Sequence, residues 1–227
     1  MKRAAALILL ILLADQALKV WVKLTFFYDS AIPLFGEWAY LHFIENRGMA
    51  FGMEFGGEWG KLALSLFRIV AVAGIGYALV RMVRSGTRGI QVTSVALIFA
   101  GALGNIIDST FYGLLFSAST PFQLAELLPA EGGYAPLLHG AVVDMFYFPL
   151  WEGRLPEWLP LWGGEHFLFF RPVFNIADAA ITIGVALFIL VQRPEQAKPA
   201  MNASGTDVGI EAPSSIVATE GRTDSEA

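Results

Sequence analysis

The sequence contains no cysteine, only three histidines and few charged residues among its 227 positions. Without cysteine the chain has no disulfide, no thiol nucleophile and no thiolate metal ligand. The histidines stand far apart and outside the spacing of a zinc-hydrolase motif, so we predict neither a metal centre nor a cofactor: His42, His139 and His166. Basic residues do not cluster with aromatic ones, so nucleic acid is not expected as a partner.

The chain is strongly apolar, with 56% hydrophobic and only 15% charged residues. A soluble domain carries about 25% charged residues. The apolar residues fall in stretches of about 20, the length that a helix needs to cross a bilayer. We predict four transmembrane helices over about 4–24, 62–83, 92–112 and 167–191.

The first stretch follows Lys2 and Arg3, so it could instead be a cleavable signal peptide. Its apolar run continues past Asp15 and Lys19, however, and no small-x-small cleavage site follows. We therefore favour a retained helix.

Basic residues flank one side of the membrane when four spans are threaded, which places both termini in the cytoplasm: Lys2, Arg3, Arg81, Arg84, Arg88, Arg193 and Lys198. Segments 25–61 and 113–166 then face outward. Polar and apolar residues alternate over 38–44, which predicts a small outward-facing β-sheet at the membrane interface. The Ser-, Ala-, Glu- and Gly-rich tail 194–227 is predicted to be disordered and cytoplasmic, which leaves 1–193 as an otherwise all-α membrane domain.

Ionisable side chains are costly in lipid, so those inside the spans are informative. Asp15 and Lys19 are four residues apart and share a helix face, either as an internal ion pair or as part of a site. In the third span, Asn105 and Asp108 share a face with Gly101 and need polar partners within the bundle. The glycines of this stretch, Gly101 and Gly104, permit close helix packing.

Two further carboxyl groups are predicted to meet near the outer leaflet. Asp144 lies in an apolar run that precedes the fourth span, and Asp178 lies a few turns inside the outer end of that span, three residues after Asn175. Two carboxyl groups at one site share a proton, because both cannot easily be ionised. One can then activate water while the other protonates a carbonyl oxygen, which is the chemistry of aspartic proteolysis.

Five motifs occur in order along the chain: Asp15-Gln16 with Lys19; Asn46-Arg47-Gly48 continuing to Gly52; Gly101 to Asn105 with Asp108; Val142-Val143-Asp144; and Phe174-Asn175-Ile176-Ala177-Asp178. Together they resemble the motifs of the lipoprotein signal peptidases (signal peptidase II) over roughly residues 10–190. The resemblance implies an inner-membrane aspartic endopeptidase with its active site near the outer leaflet.

The resemblance also implies a substrate and roles for the residues. The substrate would be a prolipoprotein, cleaved before a cysteine that already bears diacylglycerol, and the enzyme would be a monomer surrounded by membrane phospholipid. Asp144 and Asp178 would be the catalytic pair. The remaining motif residues would line or support the site: Asp15, Lys19, Asn46, Gly48, Gly104, Asn105, Asp108 and Asn175.

The chain departs from the family pattern in two ways. Ser109 stands where an arginine usually follows the third-span aspartate, and Arg47 or Arg68 could substitute for it. About 35 residues separate Asp108 from Asp144, so segment 114–139 is an insertion that could form an outer lid or a partner contact. A further extension, 151–171, carries three tryptophans, and we favour a passive interfacial anchor over a role near the site: Trp151, Trp158 and Trp162.

Two other functions fit parts of the sequence. A small transporter could use Asp15, Asp108 and Asp178 as an ion path, but no inverted repeat is seen and Asp144 lies outside a span. An inactive relative could bind lipoprotein precursors, although both aspartates of the pair are retained.

Overall fold

A computed structural model describes residues 1–48, 57–149, 151–154, 156–158, 160, 163–169 and 172–191. The end of the second motif (49–52), Trp162 and the predicted tail 194–227 lie outside these residues.

Three helices are long and apolar enough to cross a membrane, over Lys2–Thr25, Trp59–Arg84 and Gly89–Leu115. They comprise α1 (Lys2–Thr25), α2 (Gly57–Arg84) and α3 (Gly89–Ile107), and α3 continues through a π-helical turn (Asp108–Tyr112) into the single turn α4 (Gly113–Leu115). These helices correspond to the first three predicted spans.

The fourth predicted span began too early. Helix α5 runs over Ile176–Val191, and the apolar residues before it form strands instead. Asn175 begins the helix, because its side-chain oxygen accepts a hydrogen bond from the Asp178 N–H at 2.9 Å. A short apolar run does not by itself distinguish a strand from a buried helix, which explains the error. At about 1.5 Å per residue, α5 is roughly 24 Å long, shorter than the hydrocarbon core of about 30 Å.

An antiparallel sheet joins the two outer segments. Its strands are β1 (Ala31–Phe35), β2 (Ala39–Asn46), β3 (Val142–Tyr147) and β6 (Val173–Phe174), in the order β1-β2-β3-β6. The predicted sheet is therefore present, and it also contains β3 from the second predicted outer segment and β6 from the start of the fourth predicted span. A separate hairpin pairs β4 (Trp151–Arg154) with β5 (His166–Phe169).

The insertion 114–139 is packed against the helices. A Cβ atom on Gly133 would lie 2.1 Å from the carbonyl oxygen of Gly113, so the two backbones touch. The Ser65 hydroxyl of α2 donates to the Leu138 carbonyl at 2.7 Å, and the Ala141 N–H donates to the Tyr134 hydroxyl at 2.7 Å. These contacts connect the insertion to the start of β3.

Helices α3 and α5 meet backbone to backbone. A Cβ atom on Gly101 would lie 2.2 Å from the Ala177 carbonyl oxygen, and one on Gly184 would lie 2.7 Å from the Ser94 carbonyl oxygen. Glycine is the side chain that this approach allows. The contact fixes the first turn of α5 beside the C-terminal half of α3.

Candidate active site

Asp144 and Asp178 are connected through Asn175. Asp144 lies on β3 with 4% of its surface exposed, and its Oδ1 accepts a hydrogen bond from Asn175 Nδ2 at 2.7 Å. Asp178 lies in the first turn of α5, where its N–H donates to Asn175 Oδ1 and its Oδ2 accepts from the Asn175 N–H at 3.4 Å. This reciprocal cap holds Asp178 in place while the other end of the Asn175 amide holds Asp144.

Asn105 of α3 bonds to Asp178 and to the Asn175 side chain that joins the two aspartates. Its Nδ2 donates to Asp178 Oδ1 at 2.8 Å. Its Oδ1 accepts hydrogen bonds from Asn175 Nδ2 at 3.2 Å and from Lys19 Nζ at 2.9 Å. Because both ends of the amide are occupied, the donor toward Asp178 has a fixed direction.

Lys19 forms a buried ion network beneath the pair. Its Nζ lies 2.9 Å from Asp15 Oδ2 and 2.7 Å from Asp108 Oδ2, and all three side chains are at most 1% exposed. Asp15 Oδ1 also accepts the Ala177 N–H at 2.9 Å, at the positive end of the α5 dipole. The ion pair predicted from the sequence is thus present, and it also contacts Asn105 and the first turn of α5; the role of Asp15 and Lys19 in a site stays a prediction.

Asp108 and Gly104 complete this network. Asp108 Oδ2 accepts the N–H of Val143, the residue before Asp144, at 3.3 Å. A Cβ atom on Gly104 would lie 2.9 Å from Asp15 Oδ2, so a larger residue there would displace that carboxylate.

Asn46 and Gly48 lie at the end of β2, next to β3. The Asn46 side chain acts to lower the pKa of Asp144, and its Oδ1 accepts the Gly48 N–H at 2.8 Å. Gly48 has φ +88°, a conformation that favours glycine.

Burial raises the pKa of Asp144 to about 7, and the charge of Asp178 adds to the effect. The charge of Lys19 and the hydrogen bonds from Asn175 and Asn46 act in the opposite direction and lower this pKa. A carboxyl group with a pKa near neutrality can hold or release its proton at the pH of the cell.

Sequence reasoning missed a second buried cluster beside β2. Lys23 is fully buried, pairs with Glu45 and donates to the Ser119 hydroxyl at 2.9 Å. Its Nζ also lies 4.9 Å from the centre of the Tyr134 ring. The spacing of Asp15, Lys19 and Lys23 at four-residue intervals on one helix face was the signal that could have found it.

Gln16, named only within a motif, also has a specific place. Its Nε2 donates to Asp108 Oδ1 at 2.9 Å, and its Oε1 accepts the Tyr112 hydroxyl at 3.1 Å. It therefore satisfies the remaining oxygen of a fully buried carboxylate.

Ser109 is buried, and its hydroxyl accepts a hydrogen bond from Arg68 Nη1 at 3.3 Å. Of the two arginines proposed as substitutes, Arg68 is thus the one whose guanidinium reaches Ser109, whereas the Arg47 side chain is exposed. In the part of the chain that the structure describes, no three His, Asp or Glu side chains are placed to hold a metal ion.

Comparison with known proteins gives one consistent result. The family described as Signal peptidase (SPase) II matches residues 7–192. A lipoprotein signal peptidase of Porphyromonas gingivalis strain ATCC 33277 is 52% identical over 190 residues, which cover 83% of this chain and 82% of the relative. A lipoprotein signal peptidase of Amoebophilus asiaticus is 36% identical over 203 residues, covering 88% and 81%.

The fold is also similar to that of a bacterial membrane enzyme solved at 1.9 Å resolution, with a TM-score of 0.57 and 21% identity. That similarity covers 86% of this chain and 95% of the enzyme. The family match spans the helices, the sheet and the network around Asp144 and Asp178. The chain belongs to the signal peptidase II family.

Proposed function

We propose that this protein is a membrane aspartic endopeptidase that removes the signal peptide from diacylglyceryl-modified prolipoproteins, with Asp144 and Asp178 as its catalytic pair. Its membership of the signal peptidase II family and the name of its relatives support the activity and the substrate class. The observation that carries the catalytic assignment is the Asp144–Asn175–Asp178 connection, together with the near-neutral pKa of Asp144.

In this mechanism the pair holds one proton. The ionised carboxylate removes a proton from a water molecule, whose oxygen attacks the carbonyl carbon of the peptide bond, while the protonated partner donates its proton to the carbonyl oxygen. The tetrahedral intermediate then collapses, the C–N bond breaks, and the amine of the lipid-modified cysteine leaves with a proton from the pair. Asn175 and Asn105 keep the carboxyl oxygens in position throughout the cycle.

The charges around the helices favour an outward-facing site. Lys2 and Arg3 at the start of α1 and Arg81 and Arg84 at the end of α2 favour cytoplasmic locations for these ends. The pair then lies near the outer leaflet of the inner membrane, and both termini are cytoplasmic. We further propose that α5 is the fourth span, that the enzyme acts as a monomer, and that the lipid anchor of the substrate enters laterally from the phospholipid.

Cleavage by purified protein in detergent tests the proposal. Wild type should cut a diacylglyceryl prolipoprotein immediately before the lipidated cysteine, as read by mass spectrometry, and should leave the unlipidated precursor intact. Asp144→Asn and Asp178→Asn should each reduce kcat/KM by at least about 100-fold, because each removes a general acid or base.

Asp29→Asn is the matched control, since Asp29 is 68% exposed and pairs with His42 away from the network. It should retain wild-type kcat/KM. An inert wild type on several lipidated substrates would refute the activity, and full activity in either pair variant would refute the catalytic assignment.

A further inference from the structure

Arg68 of α2 is a half-buried cation that contacts Ser109, the residue after Asp108 of the ion network. The charges of Asp178 and Asp144 both act on its guanidinium. Its hydrogen bond to the Ser109 hydroxyl holds the side chain against the outer end of α3. Among the described residues, helices α1, α3 and α5 place no other arginine beside Ser109.

The guanidinium also lies beside Gly48. A Cβ atom on Gly48 would be 3.6 Å from Arg68 Nη2 and 3.8 Å from Lys61 Nζ, so two cations converge on one point at the end of β2. Lys61 donates to the Arg47 carbonyl at 2.8 Å and thereby holds the chain next to Gly48. Two like charges at this separation repel each other, so this is an unfavourable place for cations that serve packing alone.

Arg68 has more hydrogen-bond donors than the described residues have acceptors for it. A guanidinium has five N–H groups in a rigid planar fork. Within the described residues, Ser109 accepts from one nitrogen, and neither Asp144 nor Asp178 is hydrogen-bonded to the group. Arg68 Nη2 lies beside Gly48, which follows β2, and β2 pairs with the strand β3 that carries Asp144.

We propose that Arg68 is a substrate-binding residue whose guanidinium donates hydrogen bonds to backbone carbonyl oxygens of the prolipoprotein next to the scissile bond. The inference rests on the proposed function of Asp144 and Asp178. Ser109 acts as the positioning residue for Arg68. Because the guanidinium binds the peptide next to the scissile bond, it fixes which peptide bond lies at the Asp144–Asp178 pair.

Three variants test the role of Arg68. Arg68→Gln should lower kcat/KM by about 10- to 100-fold, the loss expected for charge-assisted hydrogen bonds. The double variant Arg68→Gln/Ser109→Arg returns a guanidinium from the neighbouring position and should recover at least about tenfold of that loss. Arg81→Gln, at an exposed arginine of the same helix, should match wild type.

A binding titration separates this inference from the proposed function. A fluorescent diacylglyceryl peptide would be titrated against Asp144→Asn and against Asp144→Asn/Arg68→Gln, with an expected loss of affinity of about tenfold. Equal affinities would overturn the role of Arg68 even if wild type cleaves. A loss of affinity would support it even if wild type were inert, an outcome that would refute the proposed function instead.

A purely structural role has a different signature. Arg68→Gln would then lower the melting temperature as well as the activity, and Ser109→Arg would restore neither. That pattern would overturn the inference.

Discussion

The pH dependence of cleavage follows from the environment of Asp144. The proposed mechanism needs one protonated and one ionised carboxyl group. Activity therefore falls when the pair loses the one proton that it holds in its active form. Because burial and the charge of Asp178 raise the pKa of Asp144 to about 7, we expect kcat/KM to decline above about pH 7.

Asn175→Ser changes this limb in a defined direction. Serine keeps an oxygen that can cap α5, but it removes the Nδ2 that donates to Asp144 at 2.7 Å. That hydrogen bond stabilises the ionised carboxylate, so its loss raises the pKa. A hydrogen bond to a charged group is worth about 1.5–3 kcal/mol, or roughly one to two pKa units. The alkaline limb should therefore move to about pH 8–9.

The assay is a profile of kcat/KM from pH 5 to 10 in detergent, with substrate well below KM. Thr93→Val is the control, because Thr93 is exposed on α3 and its hydroxyl bonds only to the Gly89 carbonyl. A wild-type profile that stays flat between pH 6 and 9 would refute the role of Asp144. A limb that moves to lower pH in Asn175→Ser would refute the sign of the hydrogen-bond effect.

Two further perturbations test the packing around the pair. Gly101→Ala should displace α5, because its Cβ would meet the Ala177 carbonyl oxygen at 2.2 Å. We expect about 1–3 kcal/mol of destabilisation with reduced cleavage. Gly74→Ala is the control, since nothing lies within 4 Å of a Cβ there, and it should match wild type in thermal unfolding. Lys19→Met leaves two buried carboxyl groups without their cation and should destabilise the fold by about 3–5 kcal/mol, and an unchanged melting temperature would contradict the ion network.

The sequence predicted the positions of the helices, and the polar residues inside them, better than it predicted which residues contact each other. Length and hydropathy were sufficient for the first three spans, since lipid restricts a crossing segment to a long apolar helix. The alternation of polar and apolar residues over 38–44 predicted β2, because such alternation is typical of a half-buried strand. The start of α5 was predicted wrongly because β5 and β6 are rich in apolar residues, as a membrane helix would be, and their pairing with β4 and β3 depends on residues outside this segment.

The polar residues could be selected from the sequence because charge is rare inside the spans. Their partners could not be assigned in the same way. Nothing in the local pattern showed that Asn175 would link Asp144 to Asp178, or that Ser119 of the insertion would reach Lys23. Such pairings arise from the tertiary fold. The pairing of β3 with β6, for example, brings Asp144 close to Asn175.

The charged face of α1 has a consequence for how the protein is made. Lys19 takes a hydrogen bond partner 86 residues later, Lys23 one 96 residues later, and Asp15 one 162 residues later. When α1 leaves the ribosome, none of these partners has been synthesised, so only Asp15 and Lys19 can neutralise each other within the helix. The first helix thus enters the membrane before Asn105, Ser119 and Ala177 exist, and its final position depends on the last helix of the chain.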